Sequence, residues 1–124
     1  MQNKEEKMDN KYAKIAVKAF EYINAGYSAE KAWEKASCES YKKGSHSQKK
    51  GCPRNAFLGL TSNSQALAKS KNSLYALKAL DILRKNPNSN FSINELWLLV
   101  VEKPKIHNSQ MNIVLALWNN GLIC

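Results

Sequence analysis

The middle of the chain reads Gly51-Cys-Pro-Arg-Asn-Ala-Phe-Leu-Gly-Leu60. Proline is tolerated best at the first position of a helix, so this stretch predicts a helix that begins at Pro53. Ala56, Phe57 and Leu60 follow at helical spacing and predict an apolar face directed at a core. Cys52 and Arg54 lie at the start of this helix and are its two residues with functional potential.

Apolar spacing and capping residues predict further helices on both sides of this stretch. Ser92-Ile-Asn-Glu95 matches a capping box, in which the Ser and Glu side chains each accept a backbone N–H. Four other helices are predicted. The first begins after Asp9 or Asn10 and ends at Gly26, and the second begins after Ser28. The third begins at Asn72 or Ser73 and ends near Lys85, and the fourth runs from Ser109 to Asn120, between a cap at Asn108 and a stop at Gly121.

No strand pattern longer than a few residues and no internal repeat is present. We therefore predict an all-α fold, a compact bundle of about five to six short helices. It forms a single domain over residues 10–124, which contains a polar, basic loop at 42–51. Residues 1–9 are polar, and we expect a frayed or disordered tail there.

The last three predicted helices have the lengths and order of a helix-turn-helix unit. Asn108, Gln110 and Asn112 could pair with adenine from its third helix. Residues 106–124, however, contain no Asp, Glu, Lys or Arg. This segment therefore lacks cations for phosphates, and its apolar residues predict a buried core helix rather than one that reads DNA.

The charge of the chain is strongly positive. Its 124 residues include 19 Lys and Arg against 10 Asp and Glu, a formal net charge of +9. Residues 40–72 contain no acid, and their cations are Lys42, Lys43, Lys49, Lys50, Arg54, Lys69 and Lys71. Such a segment suits a polyanionic partner, either nucleic acid or an acidic protein surface. The alternative is a solvated, lysine-rich surface without a partner.

Cys52 is a weak candidate for catalysis. A thiol at a helix N-terminus beside Arg54 favours the thiolate, and His46 or His107 could act as its base. The alternative is that Cys52 caps the helix or packs as a small buried residue. The cysteines and histidines lack the close pairs of a zinc site, so we expect no metal and no cofactor.

His107, Asn108 and Gln110 form a polar cluster at the start of the last predicted helix. The cluster can cap the helix, or its free amides can hold an anion. The longest apolar run, 96–101, is too short to cross a membrane, and no secretory signal is present. With an odd number of cysteines, three, we expect a cytoplasmic protein that does not bind membranes.

Three blocks of the chain resemble a family of small bacterial proteins of unknown function. The blocks are Gly51-Cys-Pro-Arg-Asn-Ala-Phe-Leu-Gly-Leu60, Asn72-Ser-Leu-Tyr-Ala-Leu-Lys-Ala79, and His107-Asn-Ser-Gln-Met111 through Leu115-Ala-Leu-Trp118 to Gly121-Leu-Ile123. They span roughly the last two-thirds of the chain, and the resemblance implies no activity. Thr61-Ser-Asn-Ser64 stands where relatives continue the first block with Gly and Lys, so a role tied to that stretch is not carried over.

Three hypotheses for function follow. The favoured one is a non-enzymatic module that binds a polyanion through residues 42–71. The second is a thiol enzyme or redox sensor centred on Cys52. The third is a protein-interaction or oligomeric module in which the uncharged segment 106–124 lies partly at an interface.

Overall fold

The computed structural model describes residues 10–61, 70–101 and 109–123 of the chain. Within these ranges the fold is all-α, as predicted, and contains no strand. Six helices have eight residues or more, and one has four. They are α1 (Lys11–Asn24), α2 (Ala29–Ser40), α3 (His46–Lys49), α4 (Gly51–Thr61), α5 (Lys71–Lys85), α6 (Ile93–Val100) and α7 (Gln110–Asn119).

Short-range hydrogen bonds fix several helix ends where the sequence predicts them. The side chain of Asn10 accepts the Ala13 N–H at 3.0 Å, which caps α1. Gly121 ends α7 with a φ of 69°, a left-handed conformation that glycine adopts without strain. The Leu122 N–H then donates to the Leu117 carbonyl at 2.9 Å, as in a Schellman motif. The predicted start of α1 and stop of α7 are therefore confirmed.

The capping box of α6 is also confirmed. Ser92 Oγ accepts the Glu95 N–H at 3.1 Å, and Glu95 Oε1 accepts the Ser92 N–H at 2.8 Å. We expect Ser92→Ala to lower the free energy of unfolding by about 1 kcal/mol, because an N–H of the first turn loses its acceptor. Urea denaturation measures this change. Ser89→Ala is the control, since Ser89 is exposed and its side chain makes no hydrogen bond in the described residues; an equal loss there would contradict the prediction.

Two predicted helix starts are wrong. Helix α4 begins at Gly51, which makes Pro53 its third residue rather than its first. Its missing N–H still belongs to the first turn, where no intrahelical partner is available. Helix α5 begins at Lys71, because the side chain of Ser70 accepts the Ser73 N–H at 3.1 Å. Asn72 and Ser73, predicted to open this helix, lie inside it.

The segment 42–51 is not a continuous loop. It contains α3, which Ser45 caps by accepting the Gln48 N–H at 3.2 Å. Serine is common both in loops and at N-caps, so composition alone favoured a loop. The predicted tail at 1–9 and the predicted cap at Asn108 lie outside the described residues.

Helix α7 is buried against both halves of the described chain. Ile113 and Leu117 pack in one hydrophobic cluster with residues of α1, α2 and α4. Met111, Val114 and Leu115 pack in a second cluster with residues of α4, α5 and α6. The prediction of a core helix is therefore confirmed. The chain itself covers these apolar side chains, and the interface proposed for segment 106–124 stays a prediction.

Helices α4 and α5 approach each other closely at Gly59. A Cβ atom added at this glycine would lie 2.6 Å from Ser73 Cβ and 2.8 Å from Ser73 Cα. Ser73 is fully buried, and its hydroxyl donates to the Asn55 carbonyl of α4 at 3.0 Å. The absence of a side chain at Gly59 thus sets the distance between the two helices.

No helix in the described ranges combines the length and the apolar character that a membrane crossing requires.

Candidate anion-binding cleft

A cleft of about 410 Å³ lies between α2, α3 and α4. Three of its lining cations come from the acid-free segment: Lys43 before α3, Lys49 at the end of α3, and Arg54 in the first turn of α4. Lys31 of α2 is a fourth. The fold therefore brings together cations that are up to 23 positions apart in the sequence.

These four cations have no carboxylate within 4.0 Å among the described residues. Lys31, Lys43 and Lys49 are exposed, and Arg54 is half-buried. Cations that line one cleft without direct ion-pair partners raise the local positive potential, and a cleft between protein walls focuses that potential. The arrangement therefore suits an anionic group.

The cleft also contains two carboxylates that the sequence analysis missed. Glu30 and Glu34 lie one helical turn apart on α2 and line the same cleft. Neither pairs with a cation within 4.0 Å in the described chain. Four cations against two carboxylates leave a local excess of two positive charges. The spacing of Glu30, Trp33 and Glu34 gave a signal, because residues at i, i+3 and i+4 share a helix face.

Gln48 holds the two sides of the cleft in place. Its Nε2 donates to Ser37 Oγ of α2 at 2.9 Å, and its Oε1 accepts the Gly44 N–H at 3.1 Å. Ser37 Oγ in turn donates to the Glu34 carbonyl at 3.0 Å. One side chain thus ties α3 to α2 and orders the turn that carries Lys43. A cleft whose sides are held by internal hydrogen bonds binds at a lower entropic cost than one that must be ordered on binding.

Trp33 contributes to the cleft from the core. It is only 2% exposed, and its ring lies 5.1 Å from that of Phe57, centroid to centroid. Its Nε1–H is buried and has no hydrogen-bond partner in the described part of the chain. An unpaired buried donor costs about 1–3 kcal/mol, which makes this part of the cleft wall unusual.

Lys50 lies apart from the cleft in a cluster of tyrosines and lysines. Its Nζ is 6.0 Å from the centre of the Tyr12 ring, and that ring lies 5.4 Å from Tyr41. Lys11, the first residue of α1, has its Nζ 5.0 Å from the centre of the Tyr41 ring. The Tyr12 hydroxyl donates to the Ser47 carbonyl at 2.9 Å, and burial is the main cause that raises the pKa of Tyr12. This cluster fastens α3 to α1.

The other predicted cations are separate from the cleft. Lys42 is exposed and precedes the turn at Gly44, and Lys71 is the exposed first residue of α5. Neither is among the residues that line the cleft. Lys69 lies outside the described residues.

Cys52 is the second residue of α4 and is half-buried. It does not line the cleft. His46, one predicted base, is exposed at the start of α3, and His107 lies outside the described residues. Within those residues, no group of three His, Cys, Asp or Glu side chains is close enough to hold a metal ion. The thiol hypothesis stays a prediction.

Of the predicted polar cluster His107, Asn108 and Gln110, only Gln110 lies in the described residues, and it is buried. Gln110 is 2% exposed, and its Nε2 donates to Asn72 Oδ1 at 2.8 Å, which joins α7 to α5. A Gln in a capping stretch looked solvent-facing, but here it satisfies a polar contact in the core. It is therefore not presented to a DNA base, and the helix-turn-helix arrangement of α5 to α7 stays a prediction.

Comparison with known proteins gives a match to a protein family. No curated protein and no solved structure matches the chain significantly. The model of one family, described as a family of unknown function (DUF6979), matches residues 9–124. This range includes every helix described above, from α1 to α7. The match covers far more than half of the sequence, so the chain belongs to this family of unknown function.

Proposed function

We propose that the protein is a small, non-enzymatic module that binds nucleic acid at the basic side of this cleft. The observation that carries the proposal is the convergence of Lys43, Lys49 and Arg54 on one cleft, without a carboxylate partner within 4.0 Å in the described chain. Arg presents a planar fork that matches phosphate, and Lys supplies a point charge. Phosphate contacts of this kind provide most of the non-specific affinity for nucleic acid.

The proposal places the protein in the cytoplasm, where nucleic acid is available. Cys38 and Cys52 are free thiols in the described residues, which fits a reducing compartment. An acidic protein surface is the competing polyanion, since carboxylates attract the same cations. The two partners differ in how strongly salt weakens the complex, because bound nucleic acid releases condensed counterions.

The test compares two triple variants of equal charge change. One carries Lys43→Gln, Lys49→Gln and Arg54→Gln, and the other carries Lys14→Gln, Lys78→Gln and Lys85→Gln at exposed helix positions. Fluorescence anisotropy with a labelled single-stranded oligonucleotide gives the dissociation constant over about 50–200 mM salt. We expect the cleft triple to bind at least about tenfold more weakly and to lose about one unit of salt slope per cation.

Equal weakening by both triples would show that net charge, not the cleft, governs binding. If the dissociation constant of the wild-type protein for the oligonucleotide did not change with salt, the proposal that the partner is nucleic acid would be wrong. An acidic polypeptide such as polyglutamate serves as the competitor. If it displaces the oligonucleotide at lower charge concentration, the partner is an acidic protein surface instead.

A further inference from the structure

We propose that the cleft holds a single nucleotide unit, with its phosphate on Lys43, Lys49 and Arg54 and its hydrogen-bond donors on Glu30 and Glu34. This inference rests on the proposed function and specifies the part of the nucleic acid that the cleft recognises. The carrying observation is the uneven distribution of charge between the two sides of the cleft. Helix α2 contributes both carboxylates and one cation, Lys31, whereas Lys43, Lys49 and Arg54 come from α3, α4 and the turn before α3, a side without a carboxylate among the lining residues.

The carboxylates are the feature that a simple polyanion site would lack. A continuous phosphate backbone on this surface would meet two like charges, which oppose binding. A nucleotide turns the same carboxylates into acceptors, because its sugar hydroxyls and exocyclic amino group are donors. Glu side chains accept in this way from the N4 amino group of cytosine.

Glu30 and Glu34 also have simpler roles. Glu30 lies in the first turn of α2, where a negative charge favours the helix dipole. Glu34 lies on the exposed face of the same helix. Neither role explains why both line a cleft opposite unpaired cations and make no ion pair there, within 4.0 Å, in the described residues.

The dimensions of the cleft favour one unit over a longer segment. Its volume of about 410 Å³ lies near the lower end of the range for small-ligand pockets, about 300–1,000 Å³. The hydrogen bonds of Gln48 to Ser37 and Gly44 hold the two sides of the cleft in place, which limits how far the cleft can widen. One nucleotide matches a volume of this size better than a duplex does, so we expect the terminal nucleotide of a single strand to occupy the cleft.

The first experiment titrates the wild-type protein with cytidine monophosphate, cytidine and inorganic phosphate, with binding measured by calorimetry and by amide chemical shifts. We expect cytidine monophosphate to bind at least about tenfold more tightly than either of its parts, because one good bidentate donor–acceptor pair is worth that much. If cytidine monophosphate binds no more tightly than inorganic phosphate, the proposal is overturned.

The second experiment uses the double variant Glu30→Gln/Glu34→Gln. We expect its affinity for cytidine monophosphate to fall to within about threefold of its affinity for inorganic phosphate, since amides are weaker acceptors than carboxylates. The control double variant Glu21→Gln/Asp81→Asn has the same charge change on α1 and α5 and should keep the wild-type ratio. An unchanged ratio in the Glu30/Glu34 variant would also overturn the proposal.

The oligonucleotide assay separates this inference from the proposed function. If the protein binds the oligonucleotide in a salt-dependent way but does not prefer cytidine monophosphate to inorganic phosphate, only the nucleotide site is disproved. If the protein shows neither salt-dependent oligonucleotide binding nor a preference for cytidine monophosphate, the proposed function is disproved as well. Circular dichroism of each variant checks that the helical content is unchanged.

Discussion

Leu117→Ala should lower the free energy of unfolding by about 2–5 kcal/mol, the range for truncation of a buried leucine. Leu117 is fully buried on α7, in the cluster that contains Trp33 and Phe57. The loss has two parts, the transfer of the removed methyl groups and the cavity left between helices that cannot collapse fully. Urea denaturation at neutral pH measures it from the shift in midpoint at constant slope.

Leu98→Ala is the matched control. Leu98 lies on α6 and is 67% exposed, so the same truncation removes little buried area. We expect a change within about 0.5 kcal/mol there, as for surface substitutions in general. Similar losses for both variants would show that α7 is not the core helix of the fold.

Gly59→Ala should destabilise the protein by about 1–3 kcal/mol, the cost of extra volume in a packed interior. Alanine favours a helix over glycine by about 1 kcal/mol, so a neutral site would gain stability. The new Cβ would, however, lie 2.8 Å from Ser73 Cα, a backbone atom that moves only if α4 and α5 separate. Because α4 carries Arg54, we also expect weaker oligonucleotide binding.

Gly51→Ala tests whether this effect comes from the close approach. Gly51 begins the same helix, and the nearest atom to an added Cβ is Asn55 Nδ2 at 3.8 Å, an ordinary contact. Thermal or urea unfolding should show no loss of stability for Gly51→Ala. Ser73→Gly should cost less stability in the Gly59→Ala background than in the wild-type protein, because it removes the Ser73 Cβ that the new methyl group meets. A stabilising effect of Gly59→Ala alone would contradict the described packing.

The sequence predicted those parts of the fold that depend on neighbours along the chain. Asn10, Ser28 and Ser92 each accept an N–H three residues further on, so their caps follow from local sequence. The start of α5 was missed because Ser70, Asn72 and Ser73 are all good caps, and tertiary contact decides among them. Ser73 is buried against α4, a contact that no local pattern contains.

The candidate site divides in the same way. Lys43, Lys49 and Arg54 were found because an acid-free segment is visible in the sequence itself. Glu30 and Glu34 were missed because they reach the cleft from another helix. Helix α3 sets that meeting through contacts to α2 and α1, which are made by Gln48 and by the Ser47 carbonyl. Only the three-dimensional arrangement adds acceptors to what looked like a purely basic surface.

The position of α7 in both clusters also has a consequence for how the protein is made. Trp33 and Phe57, beside the cleft, share their cluster with Ile113 and Leu117, which are translated more than 50 residues later. Contacts this distant in sequence slow folding, because a long loop must close before they form. On the ribosome, we therefore expect α1 to α4 to stay incompletely packed until α7 has emerged, and a ribosome-stalled chain that lacks α7 should not present a finished cleft.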